Sequence, residues 1–523
     1  MGNLCDKVCW WKKNEARNLY CPLTQELEDY EYKSKNSSFD MSNLRNVDEL
    51  KIKTSAFITE KTGVPMDNYY KLADIGEGAY GHVMKVASRT INEIRAMKVI
   101  KKTSIISYVN EERLFNEINI LKRVDHPNII KIYEFFKDSV NYYIITEYCE
   151  EGDLYDKLMS MPKSYFSEKL VCFIMKQVFS AVAYLHSKDI IHGDLKLENI
   201  LIDSSPYKGL DSDYFDVKLI DFGCSRFFKS NQTGVIGTSM YYSPEIINNQ
   251  YDEMSDLWAC GVIMYLLLCG EPPFKGEEIS EEVLFENIKK GNYDFNNPAF
   301  KTVSQNAKDL IKDLLNLDTK KRPPARKVLT HVWFKQRDDI TFVDVNYSKT
   351  VLKNLKEFNA RTKFQQAVIT FITHNLIQRE EISKLRTIFK QLDVDNDGRI
   401  SQIELKNGLN TVLGTISADI EIQQIMKAID MDNNGYIEYE EFMRCVVKKE
   451  KLFTEKNLKA AFNFFDQNHS GTITFDEIKS VIFAGREYSE TIFDEFLSQI
   501  GKNRDEDIDF EEFKSIMNKL SNK

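Results

Sequence analysis

The sequence predicts two fold classes in one chain: an α+β unit over residues 70–334 and an all-α unit over residues 385–523. Three observations predict them. A glycine-rich stretch at 75–83 is followed by β-type residues and then by a helical segment, the order of a sheet-built lobe. An apolar run from Ala259 to Cys269 reads as a buried helix, since it falls short of the ~18 residues a membrane span requires. Beyond residue 392, twelve-residue loops of alternating oxygen-bearing side chains recur in tandem.

Length and charge bound the function. The 523 residues allow about three domains, and 42% apolar content supplies their cores. Much of the net charge of −10 comes from residues 385–523, which hold 26 Asp/Glu against 18 Lys/Arg. Acids at regular loop spacing suggest bound cations, and no basic domain offers the surface nucleic acid needs, so nucleic acid is excluded as a partner. Nine cysteines, an odd number without metal spacing, fit free thiols in a reducing compartment, and no secretory signal is seen. A cytoplasmic monomer is expected.

Residues 1–65 are polar and without periodicity, the pattern of a flexible extension. Removal of Met1 would expose Gly2 for myristoylation, although Asp6 stands where the motif wants Ser or Thr. One acyl chain holds a membrane only marginally, so Cys5, with Cys9 and the nearby lysines, would supply the second signal for peripheral membrane contact.

The stretch Ile75, Gly76, Glu77, Gly78, Ala79, Tyr80, Gly81, His82 and Val83 is a G-x-G-x-x-G followed by Val, whose glycines let a hairpin approach phosphates. Dinucleotide-binding folds share it but run directly into a helix, whereas here β-type residues lead to the strand of Lys98. The helix from Glu111 to Lys122 then brings Glu117 as an ion-pair partner that orients Lys98. The run Tyr142 to Cys149 reads as a buried strand entering a linker between lobes. There adenine would bond to the backbone of Glu147 and Cys149, with Thr146 at the back of the pocket, unless Thr146 is simply a good strand former. Residues Ser204 to Gly209 read as a surface loop.

The stretch His192 to Asn199, followed by Asp221-Phe222-Gly223, carries the pieces of in-line phosphoryl transfer. These are Asp194 to orient a hydroxyl nucleophile, Lys196 near the moving phosphate, and Asn199 with Asp221 to hold Mg²⁺. With Ser243-Pro244-Glu245 downstream, the ordered set over residues 70–334 resembles a eukaryotic protein kinase. Lys196, and Gly237-Thr238 before Ser243, resemble the serine/threonine branch. The resemblance implies a bilobal protein kinase fold, ATP as substrate gripped by Lys98, protein Ser/Thr acceptors, a structural pair of Glu245 with Arg322, and a packing role for His192.

Between the two units, Leu352, Leu355, Phe358, Phe364, Ala367, Val368, Phe371 and Ile372 repeat at helical spacing within 335–384. The stripe is either a core helix of the next domain or a regulatory junction helix, and its place between catalytic and sensor units favours the second. The loops that follow have EF-hand spacing. The first, 393–404, offers Asp393, Asp395, Asp397, the carbonyl of Arg399, and Glu404. The second, 430–441, offers Asp430, Asp432, Asn434, the carbonyl of Tyr436, and Glu441. The third, 466–477, offers Asp466, Asn468, Ser470, the carbonyl of Thr472, and Glu477. Three Ca²⁺ sites are therefore expected. The loop 501–512 begins with Gly501, has Glu506 at the turn position and ends at Glu512, so it is expected to pair with the third and bind weakly or not at all.

A kinase joined through a helical junction to a calmodulin-like EF-hand domain resembles the calcium-dependent protein kinases of plants and alveolate protists. The resemblance implies inhibition by the junction helix at resting Ca²⁺ and release when the EF-hands close on it. It also implies a preference for basic residues near the target, which Glu150, Glu151 and Asp153 could meet. Gly193 departs from the usual Arg that docks an activation-loop phosphate. Two readings follow, an enzyme switched by Ca²⁺ alone or a Ca²⁺-responsive pseudokinase scaffold. The presence of Lys98, Glu117, Asp194, Asn199 and Asp221 favours the enzyme.

Overall fold

The computed structural model describes residues 52, 54–58, 60–78, 81–105, 108–203, 214–227, 239–250, 252–274, 280–335, 345–356, 358, 362–413, 419–431, 433–483, 490–501 and 506–518. Gly2, Cys5, Ala79, Tyr80, Asp432 and the 204–209 loop lie outside the described residues.

The first lobe is a six-stranded sheet built from β1 (Glu60–Thr62), β2 (Tyr69–Gly78), β3 (Gly81–Ser88), β4 (Ile94–Lys101), β5 (Ile132–Lys137) and β6 (Asn141–Glu147), in the order β1-β5-β6-β4-β3-β2. Only β1 joins in parallel, pairing Glu60 with Phe135 and Thr62 with Lys137. Val86, Met97, Val99 and Ile145 bury one face, and helix α1 (Tyr108–Leu121) lies across the other, with Phe115 edge-on to Phe135 and Tyr142.

The second lobe is organised around α2 (Glu168–Ser187) and α3 (Met254–Cys269), both buried along nearly their whole length. Ser167 caps α2 by accepting from the Leu170 amide. Its length and apolar composition would let α2 cross a membrane, yet it forms the middle of this core. Two short antiparallel strand pairs on this lobe flank the stretch His192–Asn199 and Asp221. One pairs β7 (Ile190–Ile191) with β10 (Arg226–Phe227), the other β8 (Ile200–Asp203) with β9 (Asp216–Leu219).

The junction is not one helix. It breaks into α4 (Val345–Lys356) and α5 (Lys363–Asn375), because Thr362 starts a new helix with a capping box to Gln365. The third helix, α6 (Arg379–Leu392), begins inside 335–384 and already belongs to the first EF-hand. Leu352, Leu355, Phe364, Ala367, Val368 and Ile372 are buried in the core of the EF-hand domain. Phe364 meets Phe465, Phe496 and Phe513, and Phe371 stacks on Phe464 at 4.3 Å.

Part of the extension expected to be flexible is also built in. Ile52 and Phe57 enter the same core, Phe57 sitting edge-on to Phe371 and Phe464 at 6.0 Å. The Thr54 hydroxyl donates to Glu440 Oε2 at 2.7 Å, and Lys61 pairs with Glu134. These few apolar residues lie in a polar stretch too short to show periodicity, so only their docking reveals them.

Candidate functional site

β4 and α1 together place the first pair. Lys98 lies opposite Val83 in the sheet, and its Nζ stands 3.1 and 3.3 Å from the Glu117 carboxylate. Burial raises the Glu117 pKa, Lys98 opposes this, and Asp221 adds to the rise. The Asn116 amide donates to the Ser225 carbonyl at 2.7 Å, tying α1 to the segment after Asp221-Phe222-Gly223.

The glycine-rich hairpin pairs Gly76 with Val83, Glu77 with His82 and Gly78 with Gly81. Ile75 is exposed on its strand, and a Cβ on Gly76 would meet open space. Gly81 has a different reason: a Cβ there would lie 1.7 Å from the Val99 carbonyl oxygen, so the sheet itself requires this glycine.

Glu147 turns its side chain away from the linker. Its Oε1 accepts from the Lys131 amide and pairs with Lys218 Nζ, each at 2.8 Å, and its backbone N–H donates to the Lys131 carbonyl at 2.9 Å. Thr146 donates its hydroxyl to the Glu147 carbonyl at 3.3 Å. Burial pushes the Cys149 thiol well above its ordinary pKa, so the side chain is a neutral packing group.

The catalytic loop is suspended from α3, whose Asp256 accepts from the amides of His192 at 2.9 Å and Gly193 at 3.0 Å and pairs with His186 at 2.9 Å. Asp256 was missed in the sequence, although a lone acid on an otherwise apolar helix was a signal. Burial alone would raise its carboxyl, but His186 and these amides hold it below the ordinary range. His192 packs its ring on Phe222 and meets the Ile220 carbonyl at 3.1 Å, the expected packing role. Gly193 has φ +78°, and a Cβ would stand 2.8 Å from the Cys224 carbonyl oxygen, so an Arg here would be strained and would have to displace that carbonyl.

Asp194, Lys196, Asn199 and Asp221 converge. Asn199 donates to the Asp194 carbonyl at 2.8 Å and to its Oδ2 at 3.0 Å, and Lys196 Nζ lies 3.3 Å from Oδ2. Asp221 sits at φ +63°, a strained position tolerated at functional sites. Burial would raise its pKa, but Lys98, the Gly223 amide and other nearby cations lower it. A carboxylate held ionised and an amide oxygen are the hard donors that a divalent ion such as Mg²⁺ takes.

Two further expectations resolve here. Glu245 and Arg322 form a buried bidentate pair at 2.5 and 3.4 Å. Asp153 caps the helix Leu154–Ser160, Glu151 reaches Lys157 at 3.8 Å, and Glu150 reaches Arg379 at 3.3 Å. The acidic rim offered for basic substrates is thus engaged by the chain itself.

In the first metal loop, Asp393, Asp395 and Asp397 bring carboxylate oxygens within 4.8 Å of one another. Asp393 Oδ1 is buried without a partner, and burial with the crowding of Asp397 and Glu404 pushes this acid well above its ordinary pKa. Several hard carboxylate oxygens gathered so closely are the donor set that Ca²⁺ takes, so the loop fits Ca²⁺. Glu404 folds over the loop, accepting from the amides of Val394 at 2.8 Å and Ser401 at 2.8 Å. In the second, Asp430 accepts from the amides of Asn434 and Gly435, and Glu441 from those of Met431 and Glu438. In the third, Asp466 and Asn468 accept from the Ser470 amide, and Glu477 closes onto Asn468 and Thr474. Arg399 and Tyr436 open β11 (Arg399–Ser401) and β12 (Tyr436–Glu438), which pair the first two loops. Thr472 opens β13 (Thr472–Ile473), which pairs with β14 (Ile508–Asp509), so the fourth loop partners the third. Glu512 accepts from the Asp509 amide at 3.2 Å.

Comparison with known proteins agrees with this geometry. A family model described as a protein kinase domain matches residues 69–334, and one described as an EF-hand domain pair matches 382–446 and 455–518. The chain is 33% identical to calcium-dependent protein kinase 4 of Plasmodium berghei over 90% of both chains. It is 36% identical to calcium-dependent protein kinase 5 of Plasmodium falciparum, over 86% of this chain and 77% of that one. With calcium-dependent protein kinase 3 of Plasmodium berghei the identity is 34%, over 90% and 84%. A bilobal phosphotransfer site and paired EF-hands in one chain, matched over most of the length of these relatives, place it among the calcium-dependent protein kinases, as a calcium-activated serine/threonine protein kinase.

Proposed function

We propose that Ca²⁺ at the loops 393–404, 430–441 and 466–477 switches this kinase by drawing α4 and α5 out of the catalytic cleft and into the EF-hand domain. The observation that supports this is the apolar stripe. Its members Leu352, Leu355, Phe364 and Val368 are buried among EF-hand residues while the Lys98–Glu117 pair is formed. At resting Ca²⁺ the groove would close and the same stripe would need another apolar partner.

In the released enzyme, Asp194 accepts a hydrogen bond from the substrate Ser or Thr hydroxyl and orients its oxygen on the γ-phosphate. Lys196 offsets charge on the transferred group, and Lys98, held by Glu117, grips the α- and β-phosphates. Bound Mg²⁺ would neutralise charge that builds on the phosphate oxygens, with Asn199 and Asp221 as its protein ligands. Asn199 also keeps Asp194 in place, so one amide serves both halves of the site. Acylation at Gly2 and Cys5, and a monomeric cytosolic enzyme touching membranes peripherally, complete the proposal.

Phosphate transfer to a protein substrate, measured with Ca²⁺ and with chelator, tests it. Equal rates in the two would overturn the switch, and an Asp194→Asn protein of near wild-type rate would overturn the catalytic assignment.

A further inference from the structure

We infer that Arg379 and Arg386 of α6 are positioning residues for the ATP-binding linker, so the calcium sensor sets part of the affinity for ATP. The inference rests on the kinase reading above. It begins at the β8–β9 hairpin, where Asp203 lies directly opposite Asp216 and both carboxylates are buried. Like charges directly opposed on a sheet repel, and buried carboxylates require counter-charge.

α6 brings that charge from the other domain. Arg379, Arg386 and Lys390 are spaced by seven and four residues, so they share one helix face. Arg386 Nη1 stands 2.6 Å from Asp203 Oδ2 and 3.6 Å from Asp216 Oδ2, and Lys390 Nζ stands 2.9 Å from Asp216 Oδ1. Arg379 pairs with Asp203 and, at 3.3 Å, with Glu150.

The same cluster reaches the linker from behind. Buried Lys218 lies on β9 beside Asp216 and pairs with Glu147 at 2.8 Å, while also donating to the Pro127 carbonyl at 3.0 Å. Glu147 and Glu150 bracket the backbone that would receive adenine, and Lys218 precedes Asp221 on the chain by three residues. With α6 docked, both ends of the linker and the strand leading to the Mg²⁺ ligand are tied to one network. With α6 absent, Asp203 keeps only Lys218 of these cations against the facing Asp216, and the linker loses Arg379.

The test uses the full chain at saturating Ca²⁺, comparing wild type with Arg379→Ala/Arg386→Met. KM for ATP is expected to rise about tenfold, within the usual range of coupling between sites. A fluorescent ATP analogue should bind more weakly by the same factor, with kcat and the number of bound Ca²⁺ unchanged. In an Asp203→Asn background, Arg386→Met should have a much smaller effect, the mark of a direct coupling. Should Arg386→Met fail to fold, Arg379→Ala alone, on a partly exposed side chain, carries the test with an expected rise of about fivefold. Unchanged KM and analogue affinity in the variant, or a full effect retained in the Asp203→Asn background, would overturn the inference. A wild-type protein that bound the analogue but transferred no phosphate would instead overturn the kinase reading.

Discussion

Asp256→Asn is the change that separates the geometry of the catalytic loop from its chemistry, since Asp256 lies on α3 and works through backbone amides. The carboxylate accepts from His192 N and His186 through Oδ2 and from Gly193 N through Oδ1. Asparagine keeps the size. Placing its oxygen at the Oδ2 position preserves two of these bonds and leaves the Gly193 amide facing an NH₂ group. A hydrogen bond to a charged acceptor contributes about 1.5–3 kcal/mol, and a buried donor left unpaired costs about 1–3 kcal/mol. A loss of about 3 kcal/mol, felt at Asp194 next in the chain, corresponds to a rate lower by about a hundredfold. Steady-state kinetics at saturating Ca²⁺ should show this fall in kcat, with KM for ATP held within about twofold because the linker is untouched. The lowered pKa of Asp256 gives a pH criterion. An acid with a depressed folded pKa contributes stability that is complete above its ordinary value and lost as pH falls through the depressed one, so the contribution should stay level near neutrality. A variant with kcat within about twofold of wild type would refute the claim that Asp256 holds the loop.

Phe57→Ala should undock the 52–58 segment at a cost of about 3–5 kcal/mol, seen as faster amide hydrogen exchange in residues 54–62 while α2 and α3 keep their protection; unchanged exchange would mean that β1 alone holds the strand. Glu245→Ala leaves the Arg322 guanidinium buried without its carboxylate, so the kinase unfolding transition should drop by about 3–5 kcal/mol, on the order of 10 °C; a shift under about 2 °C would make the pair dispensable. Glu404→Gln, Glu441→Gln and Glu477→Gln should each remove one Ca²⁺ from a total of three, whereas Glu512→Gln should leave the count unchanged; calorimetry that found four ions, or lost one with Glu512, would show that Gly501 and Glu506 are tolerated.

The order of the two domains, and the candidate residues for their chemistry, can be read from the sequence. Local rules suffice for these: Asp194, Asn199 and Asp221 lie within short motifs, and each EF loop places its oxygens within twelve residues. Pairings at intermediate range, such as Lys98 with Glu117, were legible because a strand followed by a helix leaves few ways to meet. Tertiary structure alone decided whatever depends on residues distant in the chain. Thr362 breaks the junction into two helices, yet nothing in the apolar spacing announces that break. Phe57 gains its meaning only from Phe371 and Phe464, more than 300 residues away. The reason for Gly193 lies in the Cys224 carbonyl, and that for Gly81 in the Val99 carbonyl, close approaches that no pattern of residue types encodes. The joining of the sensor to the linker through Asp203, Asp216 and Arg386 is of the same kind. Isolated charges in a sequence look like solvated surface, and only burial turns them into a network whose members need one another.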